Sequence, residues 1–269
     1  YYCLAKNDSL VNRDDFLSLC GKYNLETKVC ELDIVDHQQL QLTVKVREYL
    51  IDIIALRQLC WLKLRDARAK VFLNTEIDNK ITNDYDMVIN CTYASLNKIL
   101  DPKVHTLTQY QFEVCEKPLI KLPSEFRSKS VVVIDGPFTC IDPYCDTDLH
   151  LIGNVVHAIH ATNVGDYPKI PKNIIPLLNR GIIKNSPITN FPLFIRSASK
   201  FIPKIRQAKH IGSMFTVRTV LPNLHKTDAR PTLVEDLGGK IINVFSGKIG
   251  TSVSAAKRVV SMVGEKLNS

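Results

Sequence analysis

Four stretches of this sequence combine residue types and spacings that can carry chemistry. In "NVFSGKIGTSVSAAKR", residues 243–258, an apolar strand-like run enters Gly247-x-x-Gly250 and then a helix of small residues. The first backbone N–H groups of a helix lack an intrahelical partner, and glycine lets another group approach them closely. Such a turn can nest a phosphate or an electron-rich ligand edge, with Thr251 or Ser252 available to cap the helix. The same pattern serves as a plain strand-to-helix turn, and a lone Gly-x-x-Gly by itself favours that plainer use.

The second stretch, "VRTVLPNLHKTDARPTL", sets Arg218 and Arg230 around a turn with Asp228 and Pro231. A guanidinium fork matches a carboxylate or phosphate, although an ion pair with Asp228 would be its structural use. The third concentrates Cys140, Cys145, His150, His157 and His160, all of them metal-ligating types. The spacing argues against zinc: Cys-x4-Cys lies at the outer limit, and His157 and His160 fall on opposite faces if the strand continues. These side chains are expected to line a pocket or to be satisfied sheet histidines, with no metal. The fourth, "YDMVINCTYASLN", is an apolar strand ending at Cys91-Thr92, and the carboxyl end of a strand is where α/β sheets bind ligands. No histidine or basic cluster lies beside Cys91 to lower its pKa, so it is not read as a nucleophile.

The elements that must position these residues follow from periodicity. Strands are expected at residues 1–5 and in "ETKVCELD", with a helix over 13–23. A longer helix is expected over 47–67, where Leu50, Ile53, Ile54, Leu56, Leu59, Cys60 and Leu64 form an apolar face. "KVFLN" and "DYDMVINC" read as buried parallel strands, with a short helix from about Ser95. Residues 101–160 alternate like an antiparallel sheet, with turn signals at Asp135-Gly136-Pro137 and Asp142-Pro143. Residues 171–209 read as helix broken by four prolines, and "SMFTVRTVL" returns to strand. The last 40 residues read strand, glycine turn, helix, with Ile249, Val253, Ala256, Val260 and Val263 on one face. This alternation of textures fits two interleaved domains.

Composition narrows the classes. Hydrophobic residues at 45% and charged residues at 23% are globular values. No apolar run approaches the ~20 residues of a membrane helix. The net charge is +8, but the 35 Lys and Arg are scattered, so no nucleic-acid partner is expected. Eight dispersed cysteines suit a reducing cytoplasm. The chain starts "YYCLAKND" without Met or a signal peptide, and reads as the middle of something.

In this order the segments resemble the flavin-dependent amine and amino-acid oxidase family that contains D-amino-acid oxidase and glycine oxidase. The nearest resemblance is to its relatives in bacterial sugar and polysaccharide biosynthesis. In that family an Ala-Thr-Gly corner follows a helix–strand unit, and Asn90-Cys91-Thr92-Tyr93 occupies its place. An antiparallel substrate domain is then inserted, and the chain returns through Arg and Asp-x-x-Pro, similar to Arg218 and Asp228-Ala229-Arg230-Pro231. The family ends with strand, glycine loop and helix beneath the flavin ring, to which "IINVFSGKIGTSVSAAKR" is similar. There are two departures. Tyr93 stands where the family has glycine, and no Gly-x-Gly-x-x-Gly occurs anywhere in the chain.

The resemblance implies an α/β (α+β overall) architecture with a partial Rossmann-like FAD-binding domain interleaved with an antiparallel-sheet substrate domain. Residues 42–100 and 226–269 would be the remaining FAD-binding part, and 1–41 and 101–225 the substrate domain. Roughly the first 80 to 100 residues of a two-domain flavoenzyme would be missing, so the chain alone would hold little or no FAD and be inactive. Cys91, Thr92, Arg230, Pro231, Gly247, Lys248, Ile249, Gly250, Thr251 and Ser252 would contact the cofactor. Arg218, Tyr144, His150 and His157 would face the substrate, a small amine, amino acid or hydroxylated, sugar-related molecule. No general base is assigned, and the oligomeric state is left open. Two rivals stand beside this reading: a zinc hydrolase or deaminase using the Cys140/Cys145/His cluster, and a non-enzymatic binding remnant of the scaffold.

Overall fold

The computed structural model describes residues 1–134, 136, 138–223 and 229–268. Asp135 and Pro137 of the expected turn, and Asp228, lie outside them. The described chain forms an α/β fold in two compact units, each assembled from three stretches. The first comprises Tyr1–Lys70, Cys115–His160 and Asn173–Thr216; the second comprises Val71–Val114, Ala161–Lys172 and Val217–Ser269.

The first unit is built on a largely antiparallel sheet. Its strands are β1 (Tyr2–Ala5), β2 (Thr27–Val29), β3 (Leu40–Val46), β5 (Tyr110–Lys121), β6 (Val131–Ile134), β7 (Thr139–Pro143), β8 (Leu149–Asn154), β9 (Ile159–Gly165) and β10 (Lys209–Val220). They run in the order β10-β5-β8-β7-β6-β1-β3-β2, with β9 on β5; β1–β6 pairs in parallel, while β1–β3, β2–β3, β5–β8, β6–β7 and β7–β8 are antiparallel. The boundaries between units fall inside β5, β9 and β10. Alternating apolar residues put Ile120, Val133, Ile141 and Ile152 into one core with Phe126, Phe194 and Phe201. Phe194 belongs to α3 (Phe191–Ala198), the one α-helix in the proline-broken stretch. Each of these buried apolar side chains contributes roughly 1.5–3 kcal/mol.

Helix α1 (Arg13–Lys22) begins where Asn12 Oδ1 accepts the Asp15 N–H at 2.9 Å. Helix α2 (Ile53–Asp66) starts six residues later than its apolar pattern suggests. Asp52 Oδ1 accepts the N–H groups of Ile54 and Ala55 at 2.9 and 3.0 Å, and a capping residue fixes a start more sharply than periodicity does. No residue of α2 is buried: Leu59 of its apolar face and Trp61 on the opposite side are both exposed.

The second unit holds β4 (Val88–Asn90), β11 (Leu233–Asp236) and β12 (Ile241–Phe245), in the order β11-β12-β4, with β12–β4 parallel. "KVFLN" forms no strand: Val71, Phe72 and Leu73 are exposed, with no ladder partner among the described residues. The expected helix after Thr92 is a 3-10 segment, Tyr93–Ile99. The carboxyl-terminal helix α4 (Ser252–Leu267) buries Ala255 and Met262 and turns Val253 and Val260 outward, 65% and 71% exposed. Its face is therefore rotated from the expected one. Lys266 Nζ explains part of this, binding Asp236 at 2.9 Å and the Gly239 carbonyl at 3.0 Å on the β11–β12 hairpin.

Candidate functional site

The carboxyl ends of β4 and β12 lie side by side in the second unit, because Asn90 and Asn243 are register partners. Both side chains are buried, which obliges them to find partners. Asn90 Nδ2 donates to Asn243 Oδ1 at 2.7 Å and to the Leu96 carbonyl at 2.8 Å. Its Oδ1 accepts the Thr92 hydroxyl at 2.7 Å. The corner after β4 is thus closed by its own side chains, and Thr92 Oγ1 is committed to it. Cys91 is exposed as a residue, and partial burial of its thiol raises its pKa, so it has no thiolate character to offer. Tyr93 sits at φ 53°, the left-handed region that glycine enters without strain. Its hydroxyl accepts the Thr219 N–H at 3.1 Å and reaches the Thr219 carbonyl at 3.3 Å.

After β12 the backbone packs closely against the Arg230–Pro231 segment. A β-carbon on Gly247 would lie 2.2 Å from the Arg230 carbonyl oxygen. Gly247 N–H and Lys248 N–H donate to Thr232 Oγ1 at 3.0 and 3.4 Å, and Thr251 Oγ1 donates to the Lys248 carbonyl at 2.7 Å. Thr251 has then spent its proton, so Thr232 is the donor in the 2.6 Å contact between the two hydroxyls. A 3-10 turn, Ile249–Thr251, leads into α4, which has no side-chain N-cap. Residues 248–252 are exposed, and nothing lies within 4 Å of a β-carbon placed on Gly250. Of the two glycines, Gly247 is required by packing and Gly250 leaves the helix amino end open.

Arg218, near the end of β10, binds a partner that the sequence reading missed. Its Nε donates to Glu113 Oε2 at 2.5 Å and its Nη2 forms an ion pair with the same oxygen, while Gln111 Nε2 holds Oε1 at 2.8 Å. Glu113 is buried between Phe112 and Val114 on β5; a charge placed inside an apolar strand run was the available signal. Arg218, Arg230, Tyr93, Thr219 and Phe245 line a cavity of about 50 Å³. Thr219 is 2% exposed, and its Oγ1 has no hydrogen-bond partner among the described residues. Two guanidinium groups and an unsatisfied hydroxyl around one small void form a setting for an anionic or hydroxylated group.

Comparison with known structures adds the fold. Among solved structures, the chain is similar to glycine oxidase from Geobacillus kaustophilus, with 12% identity and a TM-score of 0.62. The match covers 94% of this chain and 66% of that one. The fold is glycine-oxidase-like. No protein-family model and no curated protein sequence matches the chain. The chain thus spans about two thirds of the glycine oxidase chain. Tyr144, His150, His157, Cys140 and His160 are the remaining candidates from the sequence.

Those candidates lie in the first unit. Tyr144 follows β7 and donates its N–H to the Leu149 carbonyl at 2.9 Å. His150, on β8, is 3% exposed; its Nε2 sits 3.0 Å from the Phe126 carbonyl, so that nitrogen carries the proton and Nδ1 has no partner among the described residues. Burial pushes its pKa below the usual histidine value, which keeps the ring neutral. β8 ends at Asn154, so His157 sits in a turn rather than on a continuing strand, its N–H held by Asn154 Oδ1 at 2.9 Å. Cys140 is buried beside Lys117 Nζ at 3.6 Å, and burial raises its pKa. Among the described residues no three His, Cys, Asp or Glu side chains converge as a metal site.

His160 instead joins a buried carboxylate that the sequence reading also missed. Glu116 accepts His160 Nε2 at 2.9 Å, Ser213 Oγ and Thr189 Oγ1 at 2.5 Å each, and the Asn190 N–H at 2.7 Å. It ties β5 to β9, to β10 and to the entry of α3. Burial acts to raise its pKa, but these hydrogen bonds outweigh it and hold the group below the ordinary carboxylate value.

Proposed function

We propose that this chain is part of a flavin-dependent oxidoreductase that oxidises a small amine, amino acid or hydroxylated, sugar-related substrate by hydride transfer to FAD. The observation that carries the reading is the open, uncapped amino end of α4, with Gly250 bare, at the carboxyl ends of a parallel strand pair. Gly250 leaves room for a flat ring edge, and the exposed amides of residues 248–252 suit negative charge. The residues present therefore fit the flavin's pyrimidine edge. FAD, when bound, supplies the hydride acceptor.

The chain's own groups do the remaining work. The amides of residues 248–252 would stabilise negative charge on the reduced ring, as an oxyanion hole does. Arg230 and Pro231, packed under Gly247, fix the position of that turn. Arg218 would hold a polar or anionic substrate group at the cavity shared with Thr219, its charge moderated by Glu113. Tyr144, His150 and His157 remain proposed substrate contacts, with His150 neutral. On this proposal the second unit holds what remains of the cofactor-binding domain and the first is chiefly the substrate-binding domain. No helix among the described residues is long and apolar enough to cross a membrane, in keeping with a proposed cytoplasmic enzyme.

The test is anaerobic mixing of the FAD-loaded protein with amines, amino acids and hydroxylated sugars. Loss of the flavin's visible absorbance with one of them, weakened in Arg218→Met, is the expected result. Stoichiometric zinc, with hydrolysis that is lost in Cys140→Ser, would overturn the proposal.

A further inference from the structure

The amino ends of β4 and β12, at the far end of these strands from the glycine turn, open onto a cleft of about 790 Å³. That volume falls within the range of small-molecule sites, ~300–1,000 Å³. Its floor is apolar: Ile99 and Ile241, each 2% exposed, belong to a cluster with Val88 and Leu100. Its rim is rich in donors. Lys80, Lys240 and His105 line it against a single carboxylate, Asp101, whose Oδ1 is already taken by the Lys103 N–H at 2.9 Å.

Two further features mark the cleft as a binding site. The Nδ1 atom of His105 is buried with no hydrogen-bond partner among the described residues, a state that folded proteins rarely leave uncompensated. Lys240 Nζ donates to the carbonyls of Thr82 and Tyr85 at 3.2 and 2.9 Å, which fixes the ammonium at the rim and leaves one of its three protons over. At the hairpin turn Gly238 and Gly239 take φ of 83° and 53° and have nothing within 4 Å of their β-carbon positions, so the lining backbone is also uncovered. An apolar floor under a cationic rim is complementary to a ligand with an apolar body and an anionic end.

We infer that this cleft binds a small organic anion, a carboxylate or phosphate carried on an apolar or ring body, independently of the glycine turn. The probes are phenyl phosphate and benzoate, with inorganic phosphate and phenol as the anion-only and ring-only controls. The readout is the His105 ring resonance in histidine-labelled protein, identified by its loss in His105→Gln, together with calorimetric affinity. One of the two ring anions is expected to shift His105 saturably while His150 stays in place, and which of them binds tighter distinguishes phosphate from carboxylate. Both controls should bind at least about tenfold more weakly, as should the better ring anion to Lys80→Met, an exposed position whose change does not threaten folding. The inference is overturned if neither ring anion shifts His105 at about 10 mM. It is equally overturned if Lys80→Met and His105→Gln bind like the parent. No flavin enters this experiment, so its outcome is separate from that of the flavin proposal.

Discussion

Gly247 and Arg230 meet through their backbones: a β-carbon on Gly247 would stand 2.2 Å from the Arg230 carbonyl oxygen and 2.5 Å from that of Pro231. The arginine-proline return and the glycine turn are one packed piece with no room for a side chain. Gly247→Ala must force these backbones apart, and overpacking of this kind costs about 1–3 kcal/mol, read as a lowered urea midpoint. Gly250→Ala meets nothing within 4 Å and has no left-handed φ to lose. It should leave stability unchanged or raise it by about 0.4–1 kcal/mol, yet weaken flavin binding. Equal destabilisation by both changes would contradict this division of roles.

The unsatisfied Thr219 hydroxyl gives a prediction of opposite signs. Thr219→Val keeps the shape and removes a buried oxygen that has no partner among the described residues. Without ligand, stability should be unchanged or higher, because the cost of leaving a buried polar group unpaired, about 1–3 kcal/mol, is relieved. Substrate affinity should fall if that hydroxyl serves the cavity. A variant that unfolds more easily than the parent would show that the hydroxyl already has a structural partner.

Glu116 predicts a pH dependence. Its folded pKa lies below its unfolded value, about 4.3, so its stabilisation is present above that value and lost as pH falls through the folded one. Glu116→Gln should cost about 2–3 kcal/mol near neutrality, from weakened charge-assisted hydrogen bonds. The gap between parent and variant should narrow in denaturant titrations carried below about pH 4. A gap that stays constant between neutral and acid pH would rule out an ionised Glu116 in the folded state.

The exposed face of α2 predicts tolerance. Leu59 and Trp61 are 50% and 46% exposed, so Leu59→Lys should change stability by less than about 0.5 kcal/mol. The same change should reduce self-association, because a large exposed apolar patch is adhesive. Trp61 is the only tryptophan, so its fluorescence should report an exposed indole. A loss of several kcal/mol in Leu59→Lys would mean that the apolar face is covered, and a blue-shifted emission that the opposite side, which carries Trp61, is covered.

Much of the fold was legible because it follows from local rules. The period-2 runs became the antiparallel sheet, and the prolines broke 171–209 into one α-helix and short turns, but Asp142-Pro143, expected to turn, continues strand β7. What failed depended on neighbours. "KVFLN" has strand composition but no strand beside it among the described residues, and α4 buries Ala255 and Met262 rather than Val253 and Val260, with the Lys266 ties accounting for part of its rotation. At the site, Gly247 and Gly250 carry the same letter and differ only in what stands around them. Glu113, Glu116 and the Asn90–Asn243 pair are joined across separations of 105, 97 and 153 residues to Arg218, Ser213 and each other. No sequence spacing shows such partners. A buried charge in an apolar strand only signals that one must exist.

The most direct test of the flavin reading is a titration of the ¹⁵N-labelled chain with FAD, followed through its backbone amide resonances. The account predicts that Gly250, Thr251 and Ser252 move together and saturably, even if binding is weak, and that Gly250→Ala reduces the response. Amides of residues 248–252 that stay in place at millimolar FAD, or shifts confined to the cleft around His105, would contradict it.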